Sequence, residues 1–158
     1  MATSLKSLSE HSEQNLVDIS GKKFALIVSE WNEEITESLY AGAYETLLKN
    51  GAKKENLVKK YVPGSYELIL AAQWMAQKED IDAVICLGCV IQGDTKHFDF
   101  ICDAVAQGIK DVNLKYNKPV IFGVLTPNNQ QQALDRAGGK HGNKGDEAAI
   151  TAIKMLGF

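Results

Sequence analysis

The sequence predicts a three-layer α/β/α sandwich, a four-stranded parallel sheet of order 2-1-3-4 with helices on both faces. Three observations predict it. Residues 23–28, 57–62, 83–91 and 119–125 read as strands, and most are apolar and rich in Val and Ile, as strands covered on both faces should be. After each strand the apolar residues recur every three or four positions, the signature of one face of a helix. Strands alternating with helices pair in parallel through right-handed crossovers, which leaves few topologies.

The elements follow in order. KFALIV (23–28) is the first strand, and residues 33–50 form a helix with Ile35, Leu39, Ala43 and Leu47 on one face and Gly51 past its end. Strand two, 57–62, is stopped by Pro63-Gly64, and 66–77 carries Leu68, Ile69, Ala72 and Met75 on a helical face. Strand three, AVICLGCVI (83–91), ends at Gln92-Gly93. Beyond it Phe98, Ile101, Val105, Ile109, Val112 and Tyr116 line one face of a helix, and Asp94 and Thr95 stand where an N-cap belongs. Strand four opens on Pro119, which suits a first strand position. Residues 128–137 read as helix, GGKHGNKG breaks the pattern, and 146–156 closes the chain with Ala149, Ala152, Ile153 and Leu156 inward.

Length and composition narrow the function classes. At 158 residues the chain suits one domain, read as 15–158 with a polar, mobile arm at 1–14. A net charge of -3 gives no nucleic-acid footprint. No apolar run reaches the ~18 residues of a membrane span, and the polar start lacks the apolar core of a signal peptide. Three cysteines, an odd count, speak against a disulfide framework and for a reducing, cytoplasmic setting. Cys86 and Cys89 form a C-x-x-C inside a strand, where an odd separation sends them to opposite faces, so they cannot share a metal. His11, His97 and His141 have no ligand-like spacing.

In a sheet of this order, ligands bind where the chain reverses direction, at the carboxyl ends of strands one and three. That rule brings Trp31 close to His97 and sets Pro63-Gly64-Ser65-Tyr66-Glu67 on the same rim. A helix start after a glycine turn offers free N–H groups to an anion. The positive end of the helix dipole opposes a further positive charge, so His97 is read as a neutral imidazole able to accept a proton. Taken alone, such a junction more often serves only as a connection. Trp31 is either a stacking face for a flat heterocycle or a hydrophobic staple. Ser65 with Glu67 either binds hydroxyls or caps a helix. Phe122 would ordinarily be core, and Arg136, Lys140 and Lys144 ordinarily surface. GGKHGNKG fails as a phosphate-binding P-loop, because Gly145 follows Lys144 and the segment follows a helix.

Together, Trp31-Asn32, PGSYE (63–67), GCVIQGDTKHFD (88–99), PVIFGVLT (119–126) and RAGGKHGNKG (136–145) resemble the lumazine synthase family over about residues 22–156. The resemblance implies a flavodoxin-like fold and a transferase of riboflavin biosynthesis. Its reaction condenses 5-amino-6-(D-ribitylamino)uracil with 3,4-dihydroxy-2-butanone 4-phosphate, with loss of phosphate and two waters, and needs no metal or redox cofactor. It implies that His97 transfers protons, and that Trp31, Asn32, Ser65, Tyr66, Glu67, Cys89, Val90 and Ile91 hold the pyrimidine and its ribityl chain. Phe122 and Lys144 join them, and Phe122 and Arg136 are supplied by a neighbouring subunit. Asp94, Thr95 and Arg136 face the phosphate. It further implies a homopentamer, closing into a sixty-subunit shell, with riboflavin synthase as a partner. Trp31, Ser65-Tyr66, Gln92 and Asp94 depart from the commonest family residues, and Asp94 is expected to point away from the phosphate or cap the helix. Two other readings are a flavin- or nucleotide-binding flavodoxin-like domain, which lacks its glycine loop after strand one, and a non-catalytic flavin-binding shell protein.

Overall fold

The computed structural model describes residues 16–158, so the arm expected at 1–14 lies outside the described residues. β1 (Phe24–Ser29), β2 (Leu57–Val62), β3 (Ala83–Cys89) and β4 (Val120–Leu125) form one parallel sheet in the order β2-β1-β3-β4. The expected order is the observed one. Registers such as Val28 opposite Leu87 and Cys89 opposite Leu125 align the carboxyl ends of the strands along one rim.

The helices are α1 (Glu33–Lys49), α2 (Leu68–Ala76), α3 (His97–Tyr116), α4 (Gln130–Arg136) and α5 (Lys144–Leu156). Alternation along the strands sends Leu26 and Ile85 to one face, where they meet Ile35 and Leu39 of α1 and Ile150 and Ile153 of α5. Ala25 and Val84 face the other way, toward Leu68 of α2 and Val105 and Ile109 of α3. The two cores therefore cover both faces of the sheet, which explains why β1 and β3 are buried along their whole length. Cys86 and Cys89 fall in opposite cores, as their spacing requires. Burial pushes both thiols up to about 12, so neither is a ready nucleophile.

Several boundaries differ from expectation, each for a local reason. β3 ends at Cys89, two residues early, although Val90 and Gln92 still donate their backbone N–H groups to Leu125 O and Pro127 O at 2.9 Å. The helix after β2 starts at Leu68 rather than at residue 66, because residues 65–67 form a turn. Neither Asp94 nor Thr95 is the N-cap of α3. Lys96 holds that place with helical dihedrals, and Thr95 Oγ1 accepts only from the His97 N–H, at 3.4 Å. The GGKHGNKG segment is a small antiparallel hairpin, β5 (Ala137–Gly139) and β6 (Gly142–Asn143), turned by Gly138 and Gly142 at positive φ. It feeds directly into α5, which starts two residues earlier than expected because the Asn143 side chain accepts the Gly145 N–H at 2.7 Å.

Candidate active site

The loop after β1 is knitted to the neighbouring strand ends. Glu30 donates its backbone N–H to Val62 O at 2.8 Å, and Trp31 donates to Pro63 O at 3.1 Å. Asn32 sits in the left-handed region at φ 62°, a conformation asparagine tolerates better than most residues. Its side-chain amide donates to Cys89 O at 3.0 Å, tying this loop to the end of β3. Held from both sides, the Trp31 ring stands 74% exposed at the rim.

Facing it, the turn after β2 presents Ser65, Tyr66 and Glu67. Ser65 is only 6% exposed, and its hydroxyl has no hydrogen-bond partner among the described residues. Gly88 makes room for it, since a Cβ there would come within 2.6 Å of Ser65 Oγ. An unpaired buried hydroxyl is costly unless something else satisfies it. Beyond β3, Val90 and Ile91 run along the rim to the exposed His97, the first residue of α3.

These elements enclose a cleft of about 420 Å³ lined by Trp31, Ser65, Tyr66, Glu67, Cys89, Val90, Ile91 and His97, with Gly64 and Ile101 completing it. The switch-point rule places Trp31 close to His97, and both line this cleft. The other candidates lie elsewhere. Asn32 is absent from the lining and spends its amide on Cys89 O. Asp94 and Thr95 are exposed on the adjoining loop. Phe122 lies neither in the core nor in the cleft. It is 36% exposed on β4, a strand at the edge of the sheet.

Arg136 and Lys144 line a second cleft, of about 620 Å³, with Thr126, Pro127, Gln132 and Lys140 among its walls. Here the structure adds a residue that sequence reasoning missed. Glu147, 3% exposed, accepts from Arg136 Nη2 through Oε1 at 2.7 Å and from Lys144 Nζ through Oε2 at 2.9 Å. Burial pushes this carboxyl up, but the hydrogen bonds from Arg136 and Lys144 prevail and hold it below the usual carboxylate range. Arg136 also donates to His141 O. The Lys144–Glu147 pair sits at i, i+3 on α5, a spacing legible in the sequence, whereas the approach of Arg136 requires the hairpin. Among the described residues no His, Cys, Asp and Glu cluster could hold a metal ion.

The family model for 6,7-dimethyl-8-ribityllumazine synthase matches residues 21–158.

The chain belongs to the 6,7-dimethyl-8-ribityllumazine synthase family.

Similar proteins carry the same name across nearly the whole chain. The 6,7-dimethyl-8-ribityllumazine synthase of Cytophaga hutchinsonii is 64% identical over 156 residues, 99% of this chain and 98% of its own length. That of Parabacteroides distasonis is 53% identical over 158 residues, covering 100% and 99%. That of Flavobacterium johnsoniae is 54% identical over 155 residues, covering 98% and 82%. Membership in the lumazine synthase family gives both clefts a chemical context. The first is a cleft lined by an aromatic ring and an imidazole, and the second is lined by two cations that converge on one carboxylate.

Proposed function

We propose that the cleft between Trp31 and His97 is the pyrimidine half of a lumazine synthase active site. This transferase makes 6,7-dimethyl-8-ribityllumazine for riboflavin biosynthesis, from 5-amino-6-(D-ribitylamino)uracil and 3,4-dihydroxy-2-butanone 4-phosphate. The observation that carries the site assignment is the convergence of Trp31, Ser65, Glu67 and His97 on one slot. Trp31 stacks on the pyrimidine. The Ser65 hydroxyl, Tyr66, Glu67 and the Cys89-Val90-Ile91 segment engage the ring and the ribityl hydroxyls. Asn32 acts one step back, by fastening the Trp31 loop to β3.

Chemistry then follows from the partners. The amine of the pyrimidine attacks the ketone and water leaves to give an imine. Phosphate then leaves as a proton is lost from the carbon skeleton, and His97 moves that proton. Attack of the second amine on the remaining carbonyl closes the ring with loss of the second water. Arg136 stabilises the departing anion, Lys144 serves the pyrimidine side, and Asp94 and Thr95 border the phosphate through their backbone. Holding both substrates together contributes further, since well-oriented partners reach effective molarities of ~10⁵ M or more.

Within one chain the cations of the second cleft do not line the first. That separation supports a shared site, with Phe122 and Arg136 reaching the cleft of an adjacent copy in a homopentamer. The hairpin between α4 and α5 is short, which favours closure of pentamers into a sixty-subunit shell in the cytoplasm, with riboflavin synthase as a possible guest. Light scattering on a sizing column, with electron microscopy, is expected to find the shell. A pentamer stable across salt and phosphate conditions retires the shell, and an active monomer overturns the shared site.

Mixing the purified protein with both substrates should produce the lumazine chromophore and one phosphate per product. Absence of both rejects the reading. For Trp31, titration with riboflavin as a flat probe should quench tryptophan and flavin fluorescence together, and Trp31→Ala should weaken binding by about 3- to 10-fold. Equal affinity in the two proteins removes stacking.

A further inference from the structure

We propose that Glu147 is a positioning residue that aims Arg136 at the phosphate and holds Lys144 beside it, an inference that rests on the reading of Arg136 as a phosphate ligand. Three facts carry it. The carboxylate is 3% exposed, so it has been taken out of water for its protein partners alone. Each oxygen serves one cation, Oε1 to Arg136 at 2.7 Å and Oε2 to Lys144 at 2.9 Å. Both cations line the same cleft, where without an intervening anion they would repel each other.

The elements that meet there are fixed independently of the carboxylate. Arg136 ends α4, Lys144 opens α5, and the β5–β6 hairpin folds one back on the other. Glu147 lies in the first turn of α5, where the helix dipole favours an acid. Arg136 is held a second time through His141 O, which leaves its fork with a defined direction rather than a free swing. The nearby Lys140 is engaged separately, with Asp135 Oδ2 at 3.2 Å.

A positioning role and a pure charge role predict opposite signs. Removing the carboxylate makes the cleft more positive, so charge alone would tighten an anion. Loss of aim would loosen it. The probe is inorganic phosphate, measured by calorimetry on the assembled protein and as an inhibitor competing with the phosphorylated substrate. Glu147→Gln should weaken phosphate binding about 10- to 100-fold, the range of a hydrogen bond to a charged group. The KM of the four-carbon substrate should rise in step, and by more than that of the pyrimidine. Glu147→Asp keeps the charge, shortens the reach and should show the same loss, so it carries the test if the Gln variant does not fold. Unchanged or tighter phosphate binding in the folded variant overturns the proposal. Arg136→Ala is the control. Weakened binding there with none in Glu147→Asp sinks only the positioning role, whereas no effect in Arg136→Ala sinks the phosphate reading and this proposal with it.

Discussion

Replacing His97 by alanine slows product formation by roughly 10- to 10⁴-fold, the upper end being the range of general acid–base catalysis. The imidazole is exposed at the first position of α3 and lines the cleft beside Val90 and Ile91. It belongs to neither hydrophobic core, and alanine is the better helix former. The substitution should therefore leave the circular dichroism spectrum and the assembly state unchanged while the rate falls. Rates are to be compared at saturating concentrations of both substrates, so that weakened binding does not masquerade as slowed chemistry. A rate equal to that of the unaltered protein removes His97 from proton transfer and leaves proximity as the explanation.

The second large effect is on stability, and it comes from a residue without a side chain. A Cβ built on Gly145 would lie 1.8 Å from the carbonyl oxygen of Leu39 and 2.7 Å from its carbonyl carbon. Both are backbone atoms of α1, so no rotamer change relieves the collision, and the two helices must move apart. Gly145→Ala is expected to cost about 3 kcal/mol and lower the melting temperature by about 6–12 °C. Activity should fall too, because Lys144 and Glu147 flank the displaced residue. Gly42 provides a contrast. Its nearest obstacles are the side chains of Asp146 and Asn143, at 2.3 and 2.6 Å, which can swing away at the expense of the Asn143 contact. Gly42→Ala should therefore cost less. Equal melting temperatures for the Gly145→Ala and unaltered proteins would show that α1 and α5 do not pack as tightly as the Leu39 contact implies.

Elements that depend on periodicity were legible in the sequence. Ile35, Leu39, Ala43 and Leu47 are buried on α1 as their spacing requires, and Val105, Ile109 and Val112 do the same on α3. The parallel sheet followed from the alternation of strands and helices. Its order 2-1-3-4 is that of the doubly wound family, among the few topologies that right-handed crossovers leave. In that order the switch-point rule brings Trp31 near His97. Features that depend on a particular side chain finding a particular partner were not legible. Asn32 donates its amide to Cys89 O, 57 residues away in sequence, a partner that no local spacing announces. Asp94 and Thr95 had the right chemistry for capping, yet the backbone enters α3 at Lys96. Phe122 had the hydropathy of a core residue. Its strand lies at the sheet edge, where its side chain stays exposed.

By itself, the sequence determined which residues form strands and helices, which faces are apolar, and on which rim a site must lie. These follow from local periodicity and the handedness of the chain, which act over a few residues or over whole elements. Only the tertiary structure decided that Arg136 and Lys144 share one buried carboxylate, and that they open on a cleft separate from that of His97. Those facts rest on distances of about a hydrogen bond between residues that the β5–β6 hairpin folds together. A glycine turn's exact course sets them, and hydropathy along a chain carries no information at that scale.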